Sequence, residues 1–268
     1  MSPRPTGGGK GSRACSREAG AGELWSMNPM NRGDQVWRTE PVVRRYLEGV
    51  RGGIPLAAEQ FEIILRLVRA ARLPVKRFLD LGCGDGALGR VLAAAHPAAE
   101  GVLLDFSEPM LEGARVALAG AGRHRFVLED YSRPEWVESV RRESPFDVVV
   151  SGFSIHHQPD ARKREIYGEI LGLLAPGGLF LNLEHVASRS GWGETVFDEY
   201  FTDSLHAQHV RQGGVQSRAE IAEAYVHRAD KAANILAPVE DQCVWLRELG
   251  YERVDCFFKA FELALFGG

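Results

Sequence analysis

Short apolar runs alternate with amphipathic stretches through the middle of the chain, and this alternation limits the fold more than any other feature of the sequence. The apolar runs have the length of β-strands and lie at residues 77–81, 101–104, 125–128, 146–150 and 179–183. Helical periodicity lies between them, at residues 87–95, 108–119, 134–143 and 160–174. Strands separated by helices require right-handed crossovers, which give a mainly parallel sheet covered on both faces. We therefore predict an α/β, doubly wound fold.

Two segments depart from this alternation. Residues 1–33 are rich in Gly, Ser, Arg and Pro and lack the apolar core of a secretory signal, so we expect a disordered leader. Met27 and Met30 lie near its end, and a start of translation at one of them is a hypothesis that the sequence suggests. Residues 187–237 are polar, helix-prone and rich in aromatic residues and His, which indicates a helical insertion, or lid, over the carboxyl edge of the sheet. We predict one domain, 34–268, that contains this insertion.

The charge and the cysteines disfavour several classes of protein. Lys and Arg total 32 against 36 for Asp and Glu, a net charge of -4, which argues against a nucleic-acid binder driven by positive charge. No apolar run approaches the roughly 18 residues that cross a bilayer, so no membrane span is predicted. Cys15, Cys83, Cys243 and Cys256 form no CxxC pair and no metal-ligand spacing. These cysteines favour the reducing cytoplasm.

A glycine-rich segment follows the first predicted strand. Residues 78–89 read Phe-Leu-Asp-Leu-Gly-Cys-Gly-Asp-Gly-Ala-Leu-Gly, with a GxGxxG pattern at Gly84, Gly86 and Gly89 where a helix opens. Glycines let the backbone turn tightly and approach a ligand, and the helix start presents free N–H groups. Asp105 ends the next predicted strand, as a ribose-binding carboxylate does. The pattern alone does not separate a dinucleotide from another adenosine ligand.

Asp80 helps to separate them. It lies two positions before Gly82, where its charge would repel a pyrophosphate and attract a cation. The sequence therefore favours a positively charged ligand, and a dehydrogenase remains an alternative that rests on GxGxxG alone. Asp80 and Asp85 also suit a simple role as negative charges at a helix N-terminus.

The combination of motifs resembles the class I S-adenosylmethionine-dependent methyltransferases, of the small-molecule type and close to uncharacterised members. It consists of the DLGCGDG run, Asp105, Asp130 after the third strand, and LAPGG at residues 174–178. The match covers about residues 55–184 and resumes at 238–268. The resemblance implies a Rossmann-like sheet of seven strands with an antiparallel last strand, and S-adenosylmethionine as the cofactor.

The resemblance also assigns residues to the cofactor. The assigned residues are Asp80, Gly82, Cys83, Gly84, Asp85, Gly86, Asp105, Phe106, Met110, Asp130, Tyr131 and Ser151. The glycines would line the methionine part with Asp80 near its ammonium group, and Asp105 would accept from the ribose hydroxyls. Phe106 and Met110 would flank the adenine, and Asp130 with Tyr131 would meet its edge. Asp130 as a turn residue and Met110 as a core residue are the structural alternatives.

Histidines form the candidate catalytic group. The segment 151–160, SGFSIHHQPD, looks like the region after the fourth strand of small-molecule methyltransferases, although many relatives have Asn or Asp at the position of Ser151. His156 and His157 titrate near neutral pH, and because adjacent residues point in different directions, we expect only one to face the ligand. His185, after the fifth strand, is a third candidate. The spacings match no recognised metal site, so no metal is predicted.

Three functions remain open. The first is methyl transfer to a small-molecule acceptor, the second is an RNA or tRNA methyltransferase, and the third is a non-catalytic relative that binds S-adenosylmethionine. The basic residues are scattered, which disfavours the second. Five aromatic residues of the insertion form either a lid around the acceptor or a core of the insertion: Trp192, Phe197, Tyr200, Phe201 and Tyr225. The sequence predicts neither the acceptor nor the oligomeric state.

Overall fold

A computed structural model describes residues 32–228 and 230–268 of the chain. Gly33–Gly268 forms one compact unit. Most of the predicted leader, with Met27, Met30 and Cys15, lies outside the described residues, so the expectations for it stay predictions.

Seven strands form a single sheet in the described part of the chain. They are β1 (Arg77–Leu81), β2 (Glu100–Asp105), β3 (Arg123–Leu128), β4 (Phe146–Gly152), β5 (Leu174–His185), β6 (Asp255–Ala260) and β7 (Leu263–Gly267). Their order is β3-β2-β1-β4-β5-β7-β6. Strands β1 to β5 pair in parallel, whereas β7 is antiparallel to both β5 and β6. The predicted doubly wound, seven-stranded sheet with an antiparallel last strand is confirmed.

Helices cover both faces of this sheet. They are α1 (Glu40–Arg45), α2 (Ala57–Ala70), α3 (Ala87–Ala95), α4 (Glu108–Ala117), α5 (Trp136–Val140), α6 (Asp160–Leu173), α7 (Gly191–Arg211), α8 (Arg218–Val226) and α9 (Val239–Leu249). Helices α2, α3 and α4 bury one apolar cluster that includes Ile64 and Leu92. Helices α5, α6 and α9 bury a second cluster around Trp136 and Tyr167 on the opposite face. The sheet core is therefore closed on both sides, and ligands reach it at an edge.

Two elements differ in extent from the sequence prediction. Helix α5 is shorter than the predicted 134–143, because the residues before it form 3₁₀-type hydrogen bonds instead of α-helical ones. Strand β5 begins before its predicted start, because Leu174 already pairs with Phe146 of β4. The pairing then shifts register, and the glycines of the LAPGG run lie at this irregularity.

Serine caps define both long helices between β5 and α9. The Ser190 hydroxyl accepts the N–H of Gly193 at 3.2 Å where α7 begins. Ser217 and Glu220 form a capping box at the start of α8. No helix within the described ranges is both long enough and apolar enough to span a membrane.

Aromatic side chains of this segment form a third apolar cluster. Phe197 and Phe201 of α7 pack with Tyr225 of α8 and with Leu263 of β7. The rings of Phe201 and Tyr225 stack with their centroids 5.1 Å apart. Trp192, in contrast, is 79% exposed. The segment is therefore anchored to the sheet through part of its aromatic residues.

Candidate active site

A cavity of about 470 Å³ lies at the carboxyl ends of β1 and β4. The chain leaves β1 toward β2 and β3 and returns to β4 on the other side of β1, so the cavity lies where the strand order reverses. Its walls come from the segment between α1 and α2, the glycine loop after β1, the turn after β4, and α7 with α8. Its volume is within the range of about 300–1,000 Å³ that small-molecule sites occupy.

The backbone of the glycine loop adopts conformations that favour glycine. Gly82, Gly84 and Gly86 have φ angles of +67°, +53° and +79°, which side chains disfavour. A Cβ at Gly82 would also collide with the side chain of Ser154. All three glycines either line the cavity or shape the loop that does.

Asp80 is buried at the end of β1 and contacts both the loop and the cavity. Its Oδ2 accepts the N–H of Gly89 in the first turn of α3 at 2.7 Å, which is the predicted role of a helix N-terminal charge. Asp80 also lines the cavity. Burial raises the pKa of this carboxyl to about 7, so a cation beside it would favour its ionised form.

Asp105 is held in place by two backbone hydrogen bonds. Its Oδ2 accepts the N–H of Gly84 at 2.8 Å, and its Oδ1 accepts the N–H of Ser107 at 2.8 Å. Burial raises the pKa of Asp105 to about 6. Phe106 and Met110 follow it along the cavity wall. The carboxylate therefore bridges the glycine loop and the start of α4, with its remaining lone pairs available to hydroxyl donors.

Two further loop residues line the cavity. Asp85 forms an ion pair with Arg51, and Arg90 lies 4.0 Å from the same carboxylate. The Cys83 thiol is buried, and burial raises its pKa well above the ordinary value. Asp85 is therefore already neutralised by Arg51, and Cys83 is a neutral thiol at the cavity wall.

Four of the residues assigned to the cofactor are not among the described residues that line the cavity: Gly86, Asp130, Tyr131 and Ser151. The carboxylate of Asp130 accepts the N–H of Ser132 and lies 3.8 Å from Arg38. The Tyr131 hydroxyl is 2.5 Å from the Ser154 hydroxyl, which does line the cavity. The Ser151 hydroxyl donates to the carbonyl of Leu81 and joins β4 to β1.

His156 and Glu184 form a buried pair at the other end of the cavity. Nδ1 of His156 lies 2.6 Å from Oε2 of Glu184, whose Oε1 accepts the His156 backbone N–H at 3.2 Å. Burial lowers the pKa of His156 well below its ordinary value and raises that of Glu184 to about 7. One proton between the two side chains satisfies this pair near neutral pH, so the imidazole is held in one tautomer and one orientation.

His157 and His185 line the same end of the cavity but have other partners. Nδ1 of His157 donates to the carbonyl of Ala233 at 3.2 Å, and burial lowers the pKa of His157 to about 3. Nε2 of His185 donates to Glu262 at 2.9 Å, and its Nδ1 lies 3.4 Å from the Asn234 amide. Both ring nitrogens of His185 are therefore engaged. No group of three or more His, Cys, Asp or Glu side chains in residues 32–228 and 230–268 is arranged to hold a metal ion.

The aromatic residues of α7 and α8 divide into two groups. Phe197, Phe201 and Tyr225 line the cavity while they also form the third apolar cluster. Trp192 is exposed, and Tyr200 packs on Phe261 with ring centroids 5.3 Å apart. Three of the five aromatic residues therefore both line the cavity, as a lid would, and form an apolar core of the insertion.

Several polar residues of the cavity were not singled out from the sequence. Arg51 comes from the segment between α1 and α2, and Arg228 and Asn234 follow α8. Gly52 and Gly53 gave the one usable signal, because consecutive glycines mark a close backbone approach. A Cβ at Gly53 would lie 2.6 Å from a side-chain carbon of α7.

Comparison with known proteins identifies the central part of the chain. A family model described as a methyltransferase domain matches residues 79–180. The chain is 36% identical over 126 residues to demethylmenaquinone methyltransferase of Leptospira interrogans, which is 46% of this chain and 48% of that protein. It is 28% identical over 177 residues to the ubiquinone biosynthesis O-methyltransferase of Aromatoleum aromaticum, which is 59% of this chain and 71% of that protein. The match to the Leptospira protein thus spans about half the length of that relative.

A solved structure extends the likeness of the fold. An O-methyltransferase family protein from Burkholderia thailandensis superposes with a TM-score of 0.53 at 18% identity, over 88% of this chain and 68% of that one. At this identity the likeness concerns the fold.

Proposed function

Because the chain belongs to the class I S-adenosylmethionine-dependent methyltransferases, we propose that it transfers a methyl group from S-adenosylmethionine to a hydroxyl oxygen of a small molecule. One observation carries this proposal. The Asp105 carboxylate, which is bonded to the glycine loop, and His156, which is paired with Glu184, line the same cavity. The similarity to a demethylmenaquinone methyltransferase and to a ubiquinone biosynthesis O-methyltransferase supports a small-molecule acceptor.

The glycine-loop end of the cavity fits the cofactor. The positive φ of Gly84 keeps its N–H on Asp105, and a Cβ there would meet only the Met110 sulfur at 3.8 Å, so the backbone is open to a ligand. Asp105 would accept from the two ribose hydroxyls, and Asp80 would face the positively charged methionine part. Phe106 and Met110 would contact the adenine. Asp130 would act indirectly, by holding the turn after β3 through its bond to Ser132. Tyr131 would position Ser154, which lines the cavity.

The histidine end of the cavity fits a base. When bound, S-adenosylmethionine supplies an electrophilic methyl group on a positively charged sulfur. The low pKa of His156 keeps its imidazole neutral near pH 7, and Nδ1 is engaged with Glu184. Nε2 is then the atom that takes the proton of the acceptor hydroxyl, and Glu184 stabilises the imidazolium that results. The adjacent His157 keeps its Nδ1 on a backbone carbonyl and shapes the wall.

The remaining residues of the cavity exclude water and position the reactants. We assign residues 34–268 to one methyltransferase domain and 187–237 to a lid, because Phe197, Phe201 and Tyr225 close the acceptor side. Holding two reactants in line supplies a large part of the rate increase in such transfers. We place the enzyme in the cytoplasm, where a free thiol such as Cys83 at the cavity wall stays reduced.

Turnover with labelled S-adenosylmethionine tests the proposal. We expect transfer of the label to members of a panel of phenols and hydroxy acids, detected by mass spectrometry, together with binding of S-adenosylhomocysteine by calorimetry. Transfer only to amines, to carbon or to RNA would contradict the hydroxyl acceptor. Thermal stabilisation by NAD without any by S-adenosylhomocysteine would contradict the cofactor.

A further inference from the structure

Arg228 is a buried cation that the proposed reaction does not use. It lies just after α8 and lines the cavity, with 13% of its side chain exposed. Its Nε and Nη1 are buried and have no hydrogen-bond partner among the residues that the structure describes. Buried N–H groups without acceptors are costly, and a charged guanidinium more so. Such a group indicates an acceptor that arrives from outside the chain.

The described residues around Arg228 hold its guanidinium in place but do not accept hydrogen bonds from its Nε and Nη1. The guanidinium carbon lies 4.5 Å from the ring centroid of Tyr225 and 5.9 Å from that of Phe201. Nε lies 3.1 Å from Oδ2 of Asp230, but the contact lacks the alignment of a hydrogen bond. The two rings therefore fix the plane of the fork, while its N–H groups remain free for a planar anion.

The neighbouring lysine provides a contrast. Lys231 also lies over the Tyr225 ring, at 4.7 Å. Its Nζ donates to both carboxylate oxygens of Asp198, at 2.8 and 2.9 Å. Lys231 and Asp198 thus neutralise each other, whereas the partial contact of Arg228 with Asp230 leaves hydrogen-bonding capacity unused.

Arg228 lies at the acceptor end of the cavity. Its guanidinium carbon lies 5.9 Å from the centroid of the Phe201 ring, Phe201 packs on Phe197, and Phe197 packs on His185 at the histidine end. Arg51, the other cation of the cavity wall, is paired with Asp85 and acts on Asp80 at the glycine-loop end. A carboxylate of the bound cofactor would have Arg51 within the same end of the cavity, which leaves Arg228 for the acceptor.

A second cavity gives the acceptor room beyond Arg228. This cavity of about 290 Å³ lies between α1 and the two helices α7 and α8. It shares Tyr46, Tyr225, Arg228 and Asp230 with the first cavity. Arg228 therefore stands at the junction of the two cavities, where one end of an acceptor can bind while its body extends to either side.

We propose that the methyl acceptor is a hydroxy acid whose carboxylate binds to the guanidinium of Arg228, on the basis of the function proposed above. The carboxylate accepts from Nη1 at the end of the guanidinium, while Nε stays beside Asp230, and the hydroxyl is presented toward His156. Asp230 competes with the incoming carboxylate for Arg228 and keeps the guanidinium charge partly compensated when no acceptor is present.

Matched acids and amides test this inference on the protein saturated with S-adenosylhomocysteine. The probes are salicylate and salicylamide, protocatechuate and its amide, and coumarate and its amide, with affinities measured by calorimetry. At least one acid should bind about tenfold or more tighter than its amide, as expected for a charge-assisted hydrogen bond. Arg228→Gln should remove this preference, Arg228→Lys should retain part of it, and Asp230→Asn should increase the affinity for the acid.

Arg218→Gln is the matched control, because Arg218 lies at the start of α8, pairs with Asp203 on the surface and is not a cavity residue. The control should bind each probe as the wild type does. Equal affinity for every acid and its amide in the wild type would overturn the inference, and so would a preference that survives Arg228→Gln. A loss of S-adenosylhomocysteine affinity in Arg228→Gln that matches the loss for the acid would also overturn it, because Arg228 would then hold the cofactor. Failure of the wild type to bind S-adenosylhomocysteine counts against the proposed function, while the acid-amide comparison on the same protein still tests Arg228.

Discussion

The two ends of the cavity are built in different ways. The glycine-loop end comes from one continuous segment after β1 and from Asp105 at the end of the adjacent strand. The histidine end combines the turn after β4, the end of β5, the residues after α8 and the loop before β7. Backbone N–H groups and carboxylates dominate the first end, and buried side-chain pairs dominate the second.

This difference separates binding from chemistry. The bonds from Gly84 and Ser107 to Asp105 do not involve the His156–Glu184 pair. A change at one end should therefore alter one measured quantity and leave the other almost untouched, since distant sites without shared partners are close to additive. The predictions below test this separation, beginning with the largest effect.

His156→Ala should lower turnover by about 10²–10⁴-fold, the usual contribution of a general base. The substitution removes the proton acceptor and leaves Glu184 without its 2.6 Å partner. The affinity for S-adenosylhomocysteine should stay within about threefold of the wild type, because additivity holds between distant sites to a few tenths of a kcal/mol. Steady-state turnover with any accepted hydroxyl compound and calorimetry of the same sample measure the two quantities.

His157→Ala is the control for that experiment. Its ring lies 4.1 Å from that of His156, but its Nδ1 is used on Ala233 and its pKa is about 3. Nδ1 of His157 is bonded to a carbonyl and not to a carboxylate that could stabilise an imidazolium, as Glu184 can for His156, so turnover should fall by less than about tenfold. A larger loss in His157→Ala than in His156→Ala would reverse the assignment, and equal wild-type rates in both would remove a histidine base from the mechanism.

Asp105→Ala should weaken S-adenosylhomocysteine binding by about 10–100-fold, since hydrogen bonds to a charged group contribute about 1.5–3 kcal/mol. The loss includes the bonds that hold Gly84 and Ser107. Turnover at saturating cofactor should change much less than the affinity does. Calorimetry measures the affinity, and single-turnover rates at high cofactor concentration measure the chemistry.

Glu108→Ala is the matched control at this end. Glu108 lies near Asp105 in the chain, but its carboxylate pairs with Arg115 on the surface. The control should bind S-adenosylhomocysteine like the wild type. An unchanged affinity in Asp105→Ala would contradict the ribose assignment, and a large fall in the saturated rate would show that the two ends of the cavity are coupled.

The same difference explains what the sequence could predict. The tight glycine turn after β1 and the place of Asp105 at the end of the next strand follow from local pattern, because one turn and two adjacent strand ends form that end of the cavity. The doubly wound sheet was predictable because each crossover joins a strand, a helix and a strand that are consecutive in the sequence. Strand β5 was misplaced at its start only because its pairing shifts register at the glycines.

The histidine end depends on contacts between residues that are distant in the sequence. The pairing of His156 with Glu184 requires the neighbouring positions of β4 and β5. Glu262 reaches His185 because β7 inserts beside β5, and Asn234 reaches it from beyond α8. Periodicity does not encode such contacts, which is why the sequence left His156, His157 and His185 equivalent.

The smallest predicted effect near neutral pH is a pH dependence confined to the glycine-loop end. Burial raises the pKa of Asp80 to about 7 and that of Asp105 to about 6, so both bind protons below these values. If both carboxylates hold the cofactor in ionised form, binding must release those protons. The affinity for S-adenosylhomocysteine should therefore level off above about pH 7, fall by about tenfold between pH 7 and pH 6, and fall by up to about a hundredfold per pH unit at lower pH, where both carboxyls are protonated in the free protein.

The stability of the free protein should change in the opposite direction. The folded-state pKa values of Asp80 and Asp105 exceed those of the unfolded chain, so these groups contribute stability that is fully present below about pH 4 and is lost as the pH rises through about 6 to 7. The increase in Tm caused by S-adenosylhomocysteine should accordingly be small at about pH 5 and large at about pH 8. Asp105→Asn should flatten this difference, because it removes one of the two titrating groups. A ligand-induced shift that is equal at both pH values in the wild type would mean that neither carboxyl changes its protonation on binding, and the electrostatic role of this end of the cavity would then be reduced to hydrogen bonding alone.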